Sequence, residues 1–167
     1  VSDHRARLVS QTLRAVVAAG ADVEIRVSDG RVVGESEPGT YDRVLVDAPC
    51  TGLGALRRRP EARWRRTPAD LVDLGPTQRQ LLTSALETTR PGGVVVYATC
   101  SPHIAETTLV IEDVTSSMDG VAIEDIRPLV LRRDGSAHPG VGAGPFAQLL
   151  PHVHDTDAMF MALLRRC

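Results

Sequence analysis

Two cysteines stand where their chemistry would be accessible. Cys50 closes the run Val44-Leu45-Val46-Asp47-Ala48-Pro49-Cys50, and Cys100 closes Val94-Val95-Val96-Tyr97-Ala98-Thr99-Cys100. Each follows a short apolar stretch of the kind that forms a buried strand. A deprotonated thiol is a strong nucleophile and can form covalent intermediates. A cysteine past a strand can equally be an inert small hydrophobe. Two at equivalent positions point instead to one shared pocket, used for nucleophilic catalysis or as a redox pair. The third, Cys167, is terminal. No Cys-x-x-Cys or Cys/His cluster suggests a metal, and the five His show no acid partner at catalytic spacing.

The surrounding periodicity supplies the elements that must hold these residues. Leu8, Val9, Leu13, Val16 and Val17 have helical spacing across Asp3 to Ala19, with Gly20 as its end. Val23, Ile25 and Val27 alternate with polar residues, which predicts a strand ending at Ser28-Asp29-Gly30. Residues 34–40 read as a surface loop, and Val44–Val46 as a strand buried on both faces. Thr67-Pro68-Ala69-Asp70 opens a helix that Gly75-Pro76 should break, with a second helix from about Pro76 to Arg90. Pro91-Gly92-Gly93 turns the chain into the strand Val94–Ala98. A helix through Ile104, Ile111 and Val114, a Gly/Pro-rich loop at 134–145 and a strand at Ala158–Leu164 complete the chain. This alternation predicts an α/β protein with a largely parallel sheet. Ligands of such sheets sit beyond the carboxyl ends of the strands, here Asp29, the 47–52 turn and the 99–102 turn.

Composition bounds the rest. A length of 167 residues predicts a single domain, 1–167. With 43% apolar and 24% charged residues, wholesale disorder is excluded. No apolar run approaches the ~20 residues that span a bilayer, so no membrane association is expected. The first residues lack the apolar core of a signal peptide, and sparse cysteine fits a reducing, cytoplasmic setting. The net charge is −2, yet residues 57–66 hold six Arg against one Glu. Such a stretch is a solvated loop or a phosphate-binding surface.

The stretch DAPCTGLGALRRRPEARWRRTPADL, followed by RPGGVVVYATCSP, resembles the RsmB/Sun/Fmu-type RNA (cytosine-5) methyltransferases. The closing segment PHVHDTDAMFMALLRR is similar to the family's last strand. The resemblance implies a Rossmann-like class I methyltransferase sheet, mostly parallel with an antiparallel last strand. It implies S-adenosylmethionine as cofactor and RNA, with ribosomal RNA expected, as partner. Cys100 maps onto the nucleophile, Cys50 onto the residue that assists release, and Asp47 onto the acid that meets the cofactor's methionine end. Asp29 takes the place of the acid that binds the adenine amino group. Arg57, Arg58, Arg59 and Arg63, with Arg65 and Arg66, are then candidates for RNA phosphates, while Trp64 is expected to anchor the segment in the core.

Three departures temper that mapping. Residues 102–107 (PHIAET) differ from the family's Pro-Glu-Glu-Asn run, and Ala158 replaces a usual Gly. The family's glycine-rich cofactor loop, its flanking strands and its acid for the ribose hydroxyls are not among these residues. The 167 residues therefore read as the C-terminal part of a catalytic domain, expected to bind cofactor weakly alone. An exposed strand edge could pair with a second copy. The alternative is a non-catalytic RNA-binding or assembly module that keeps the fold.

Overall fold

The computed structural model describes residues 2–142 and 144–167, so the loop expected at 134–145 includes one position, Ala143, outside the described residues. The chain forms two compact units, Val1–Gly30 and Arg31–Cys167. In the first, helix α1 spans Asp3–Ala18 and starts where the Ser2 hydroxyl accepts the Arg5 N–H. It closes with Gly20 and Ala21 N–H groups donating to the Val17 and Val16 carbonyls. The segment Val23–Val27 is not a strand, which corrects the expectation from its alternation. A strand exists only where a ladder satisfies its backbone, and none of the described strands pairs with it.

The second unit opens with a short helix, α2 (Val33–Ser36), and strand β1 (Tyr41–Asp47). A one-turn helix α3 (Ala62–Arg65), the long helix α4 (Pro68–Thr88) and strand β2 (Thr89–Thr99) follow. Then come α5 (Thr108–Ser117), β3 (Val121–Glu124), β4 (Ala147–Leu149), α6 (Pro151–His154) and β5 (Met159–Arg166). The sheet order is β1-β2-β5-β3, with β4 also pairing β5. β1 and β2 are parallel, while β2, β3 and β4 each pair antiparallel with β5. Four strands thus run one way and the last opposes them, the Rossmann-like arrangement that the motifs imply.

The period-2 alternation of the central strands feeds two cores. Val95 and Tyr97 of β2, with Phe160, Ala162 and Leu164 of β5, pack under Leu82, Ala85 and Leu86 of α4 and Val110, Ile111 and Val114 of α5. The opposite residues, Val94, Val96, Met161 and Leu163, pack against Ile126, Val141, Ala147 and Leu149. β1 shares only the first core, through Val44 and Val46, and Leu45 is 70% exposed. The strand is therefore not buried on both faces as expected. It ladders only with β2 among the described strands and forms an edge.

Two further expectations are corrected. Gly75-Pro76 does not break the helix, and α4 runs through both. Thr67 caps it, its N–H donating to the Asp70 carboxylate at 2.7 Å, and Leu82, Ala85 and Leu86 bury the far half. That packing outweighs one lost backbone bond. Pro91-Gly92-Gly93 is not a turn before β2 but a bulge within it. Tyr41 pairs with Thr89 and Arg43 with Val94, so Arg90–Gly93 lie opposite Asp42 alone.

Pro76 is exposed and lacks the N–H that would bond the Val72 carbonyl. Pro76→Ala should raise stability by about 1–2 kcal/mol, a helix gain partly offset by a freer unfolded chain. Urea denaturation is the measurement, and an unchanged midpoint would show that α4 already accommodates the ring without cost.

Candidate active site

The two candidate thiols meet. β1 and β2 are parallel neighbours, with Asp47 opposite Ala98, so both chains leave the sheet at the same end. The Ala48 N–H donates to the Ala98 carbonyl at 3.0 Å and keeps the two chains together one step further. Beyond it, Cys50 Sγ lies 3.3 Å from Cys100 Sγ. Both are free, half-buried thiols. Burial, then the hydrogen bond and the charge of Cys100, push the Cys50 thiol up to about 12, so Cys50 keeps its proton at neutral pH.

A buried carboxylate builds the loop that carries Cys50. Glu106 is 1% exposed and follows β2 in a short turn at Ile104–Glu106. Its Oε1 accepts the Thr51 N–H at 2.7 Å, and its Oε2 accepts the Thr51 hydroxyl at 2.5 Å. Gln78 of α4 donates its amide to Glu106 Oε1 at 3.2 Å and to the Pro49 carbonyl at 2.8 Å. Tyr97 of β2 donates its hydroxyl to the Glu106 carbonyl at 3.0 Å, and burial holds that hydroxyl well above its usual range of ionisation. The sequence PHIAET, despite its departure from the family's run, thus supplies the support of this loop. Composition and periodicity gave no signal for Glu106 or Gln78, because their burial becomes visible only when three elements converge.

Glycine completes the closure. Gly52 turns the chain with φ +73°, a left-handed conformation that other residues rarely adopt. Gly54 is wedged between backbones: a Cβ there would come within 2.7 Å of the Cys100 carbonyl oxygen and 2.1 Å of the Ala158 carbonyl oxygen. Its N–H donates to the Cys100 carbonyl and its carbonyl accepts the Ala158 N–H, both at 2.9 Å. Ala158, at the position of the family's usual Gly, still makes that contact.

The remaining sequence candidates separate into groups. Asp47 ends β1 and is exposed. Asp29 belongs to the first unit. Arg57 donates to Asp155 at 2.9 Å, and Arg58 clasps Asp157 with its Nε at 2.7 Å. That pairing holds the Asp157 carboxyl below the usual range and was not legible across about a hundred residues of sequence. Arg66 Nε donates to the Thr51 carbonyl at 2.9 Å, tying the basic segment to the Cys50 loop. Arg59, Arg63 and Arg65 are exposed, with no hydrogen-bonded carboxylate among the described residues. Trp64 is 84% exposed, which corrects the expectation that it anchors the core. It sits on a single helical turn between arginines, and that turn has no buried residue to pull the indole inward. Among the described residues no group of three His, Cys, Asp or Glu could hold a metal.

Comparison with known proteins adds what geometry alone does not carry. The 16S rRNA methyltransferase RsmB/F family matches residues 1–165. The chain belongs to this family. A Mycobacterium tuberculosis protein provisionally named a methyltransferase is 55% identical over 165 residues, 99% of this chain and 34% of its own length. The ribosomal RNA small subunit methyltransferase F of Serratia proteamaculans is 34% identical over 139 residues, 83% of this chain and 28% of its own. This RsmB/F chain therefore spans about a third of the length of the curated relatives it matches. Among solved structures, NSun6 from Pyrococcus horikoshii, determined with SFG, aligns with a TM-score of 0.80 at 27% identity. The alignment covers 99% of this chain and 39% of that one.

Two measurements check the geometry. At pH 8, alkylation of Cys50 mapped by mass spectrometry should run about two to three orders of magnitude slower than for an unperturbed thiol. A rate equal to that of the exposed Cys167 would show that Cys50 ionises readily. Glu106→Gln places an amide NH2 or a single carbonyl oxygen before three donors. It should cost about 1–3 kcal/mol in chemical denaturation. Unchanged stability would mean that the carboxylate does not hold the loop.

Proposed function

We propose that these 167 residues are part of a single catalytic domain that methylates carbon 5 of cytosine in RNA, with ribosomal RNA in the cytoplasm as substrate. The cofactor is S-adenosylmethionine. The observation that carries this reading is the 3.3 Å approach of Cys50 and Cys100 at the ends of parallel neighbours, in a chain of the RsmB/F family. One thiol suffices for a structural role or for a simple nucleophile. A pair suits a reaction that must both form and break a carbon–sulfur bond.

Carbon 5 of cytosine is a weak nucleophile. Addition of the Cys100 thiolate to carbon 6 forms a carbon–sulfur bond and pushes the ring electrons onto carbon 5. When bound, S-adenosylmethionine supplies the electrophilic methyl group that carbon 5 takes up. The proton on carbon 5 must then leave to a base, and its electron pair expels Cys100 as thiolate, restoring the aromatic ring. Cys50, protonated at neutral pH and 3.3 Å from that sulfur, can donate a hydrogen bond to the thiolate before attack and again as it departs. The resemblance assigns Cys50 to release, and this placement supports it. Asp47, exposed at the carboxyl end of β1, offers a carboxylate suited to the ammonium group of the cofactor's methionine moiety. Asp29 is assigned the adenine amino group on resemblance alone. Arg59 and Arg63 supply charge for RNA phosphates, as do Arg57 and Arg58 from within their ion pairs.

In a complete protein that carries the cofactor loop, Cys100→Ala should reduce to background both methyl transfer from labelled cofactor to RNA and covalent trapping by 5-fluorocytosine RNA. Cys50→Ala should let the covalent RNA complex accumulate under turnover. Trapping that survives Cys100→Ala would reverse the two roles. A complete protein, carrying the cofactor loop, that binds RNA yet neither methylates nor traps it would establish the non-catalytic alternative.

A further inference from the structure

Trp64 is the single tryptophan of the chain, and it projects into solvent at 84% exposure. An indole is a large apolar surface, and leaving it wet forgoes a favourable burial. The flanking side chains show what it could meet. Arg63 and Arg65 are its neighbours in the chain on the same turn, both exposed and without a hydrogen-bonded carboxylate among the described residues. Arg66, next along, is held: its guanidinium bonds the Thr51 carbonyl at 2.9 Å and Asp70 at 3.0 Å. That anchor fixes the turn beside the Cys50 loop, because Thr51 directly follows Cys50. Two residues of chain, at most ~7 Å, separate Trp64 from it.

An exposed aromatic face on the same short turn as two uncommitted guanidinium groups matches one chemistry well, a base together with the phosphates of its strand. Single-stranded RNA presents unstacked bases and backbone phosphates together, whereas a duplex hides its base faces. We infer that Trp64 is a stacking platform for an unpaired nucleotide next to the target cytosine, with Arg63 and Arg65 on its phosphates. The placement deepens the methyltransferase reading and rests on it for the position of the target. A stack beside the reactive loop would hold a neighbouring base out of the helix and keep the target strand open at the thiols. An acidic segment of a protein is the competing occupant, and the test separates the two.

Because Trp64 is the only tryptophan of these 167 residues, their intrinsic fluorescence reports on it alone. Titrating the protein with a single-stranded oligocytidylate decamer should quench emission saturably. Trp64→Ala should weaken decamer binding about 5- to 100-fold, while Trp64→Phe keeps a ring and most of the affinity. The salt slope should be unchanged in Trp64→Ala and reduced by up to ~0.7 per residue in Arg63→Ala and Arg65→Ala. Binding to a blunt RNA duplex should be the same in wild type and Trp64→Ala. Equal losses on duplex and single strand in Trp64→Ala would overturn the inference, since a misfolded turn affects both. So would decamer binding with unquenched emission and wild-type affinity in Trp64→Ala. In either case methylation and Cys100 trapping would still stand by themselves. An emission blue-shift induced only by an acidic peptide would assign the site to a protein. Loss of Cys100 trapping with quenching intact would sink the reaction and leave the platform.

Discussion

The geometry of the candidate site depends on one buried carboxylate. Glu106 has left water entirely, and an ionised or even neutral carboxyl group in that position is costly unless donors surround it. The donors come from two different elements, the Thr51 backbone and hydroxyl and the Gln78 amide, while Tyr97 reaches the backbone of Glu106 itself. The loop after β1, helix α4 and the end of β2 are thus forced into one arrangement. A loop alone has no reason to hold Cys50 opposite Cys100, since its residues around 47–52 carry little apolar area to bury. The sheet brings the two chains side by side, and the carboxylate fixes what happens after the sheet ends.

That division explains the roles of the elements. The parallel pairing of β1 with β2 determines which end both thiols occupy, and no detail of the loops can alter it. β5, inserted antiparallel between β2 and β3, carries apolar residues on both faces and joins the two cores. β1 contributes little to the interior beyond Val44 and Val46, so its place in the fold owes more to its ladder with β2 than to burial.

The sequence was legible where local chemistry and final structure agree. The apolar runs at Val44–Val46 and Val94–Ala98 are strands, Thr67–Asp70 caps a helix, and the cysteines that follow the strands converge. It misled where a local signal lacked its tertiary counterpart. Val23–Val27 alternates but ladders with no described strand, and Leu45 belongs to an apolar run yet lies beyond the layer that covers its neighbours. Pro76 is a helix breaker overruled by packing further along α4. Trp64 is apolar by type, yet it sits on a turn that buries no residue, and its indole stays in solvent. The acids that meet Arg57 and Arg58 arrive from the far end of the chain, a separation at which no pattern in the sequence pairs charges.

Gly54 has a consequence for motion. Its backbone bonds on one side to the carbonyl of Cys100 and on the other to Ala158 at the threshold of β5. The Cys50 loop and the Cys100 loop are therefore stitched to the same strand end. To swing outward, the Cys50 loop must break two backbone bonds at once, one to the Cys100 loop and one to the start of β5. The gap between the sulfurs is thus insulated from breathing of the surface around it. The outer segments can move while the two sulfurs keep their spacing, much as the jaws of a vice keep theirs when the bench is shaken.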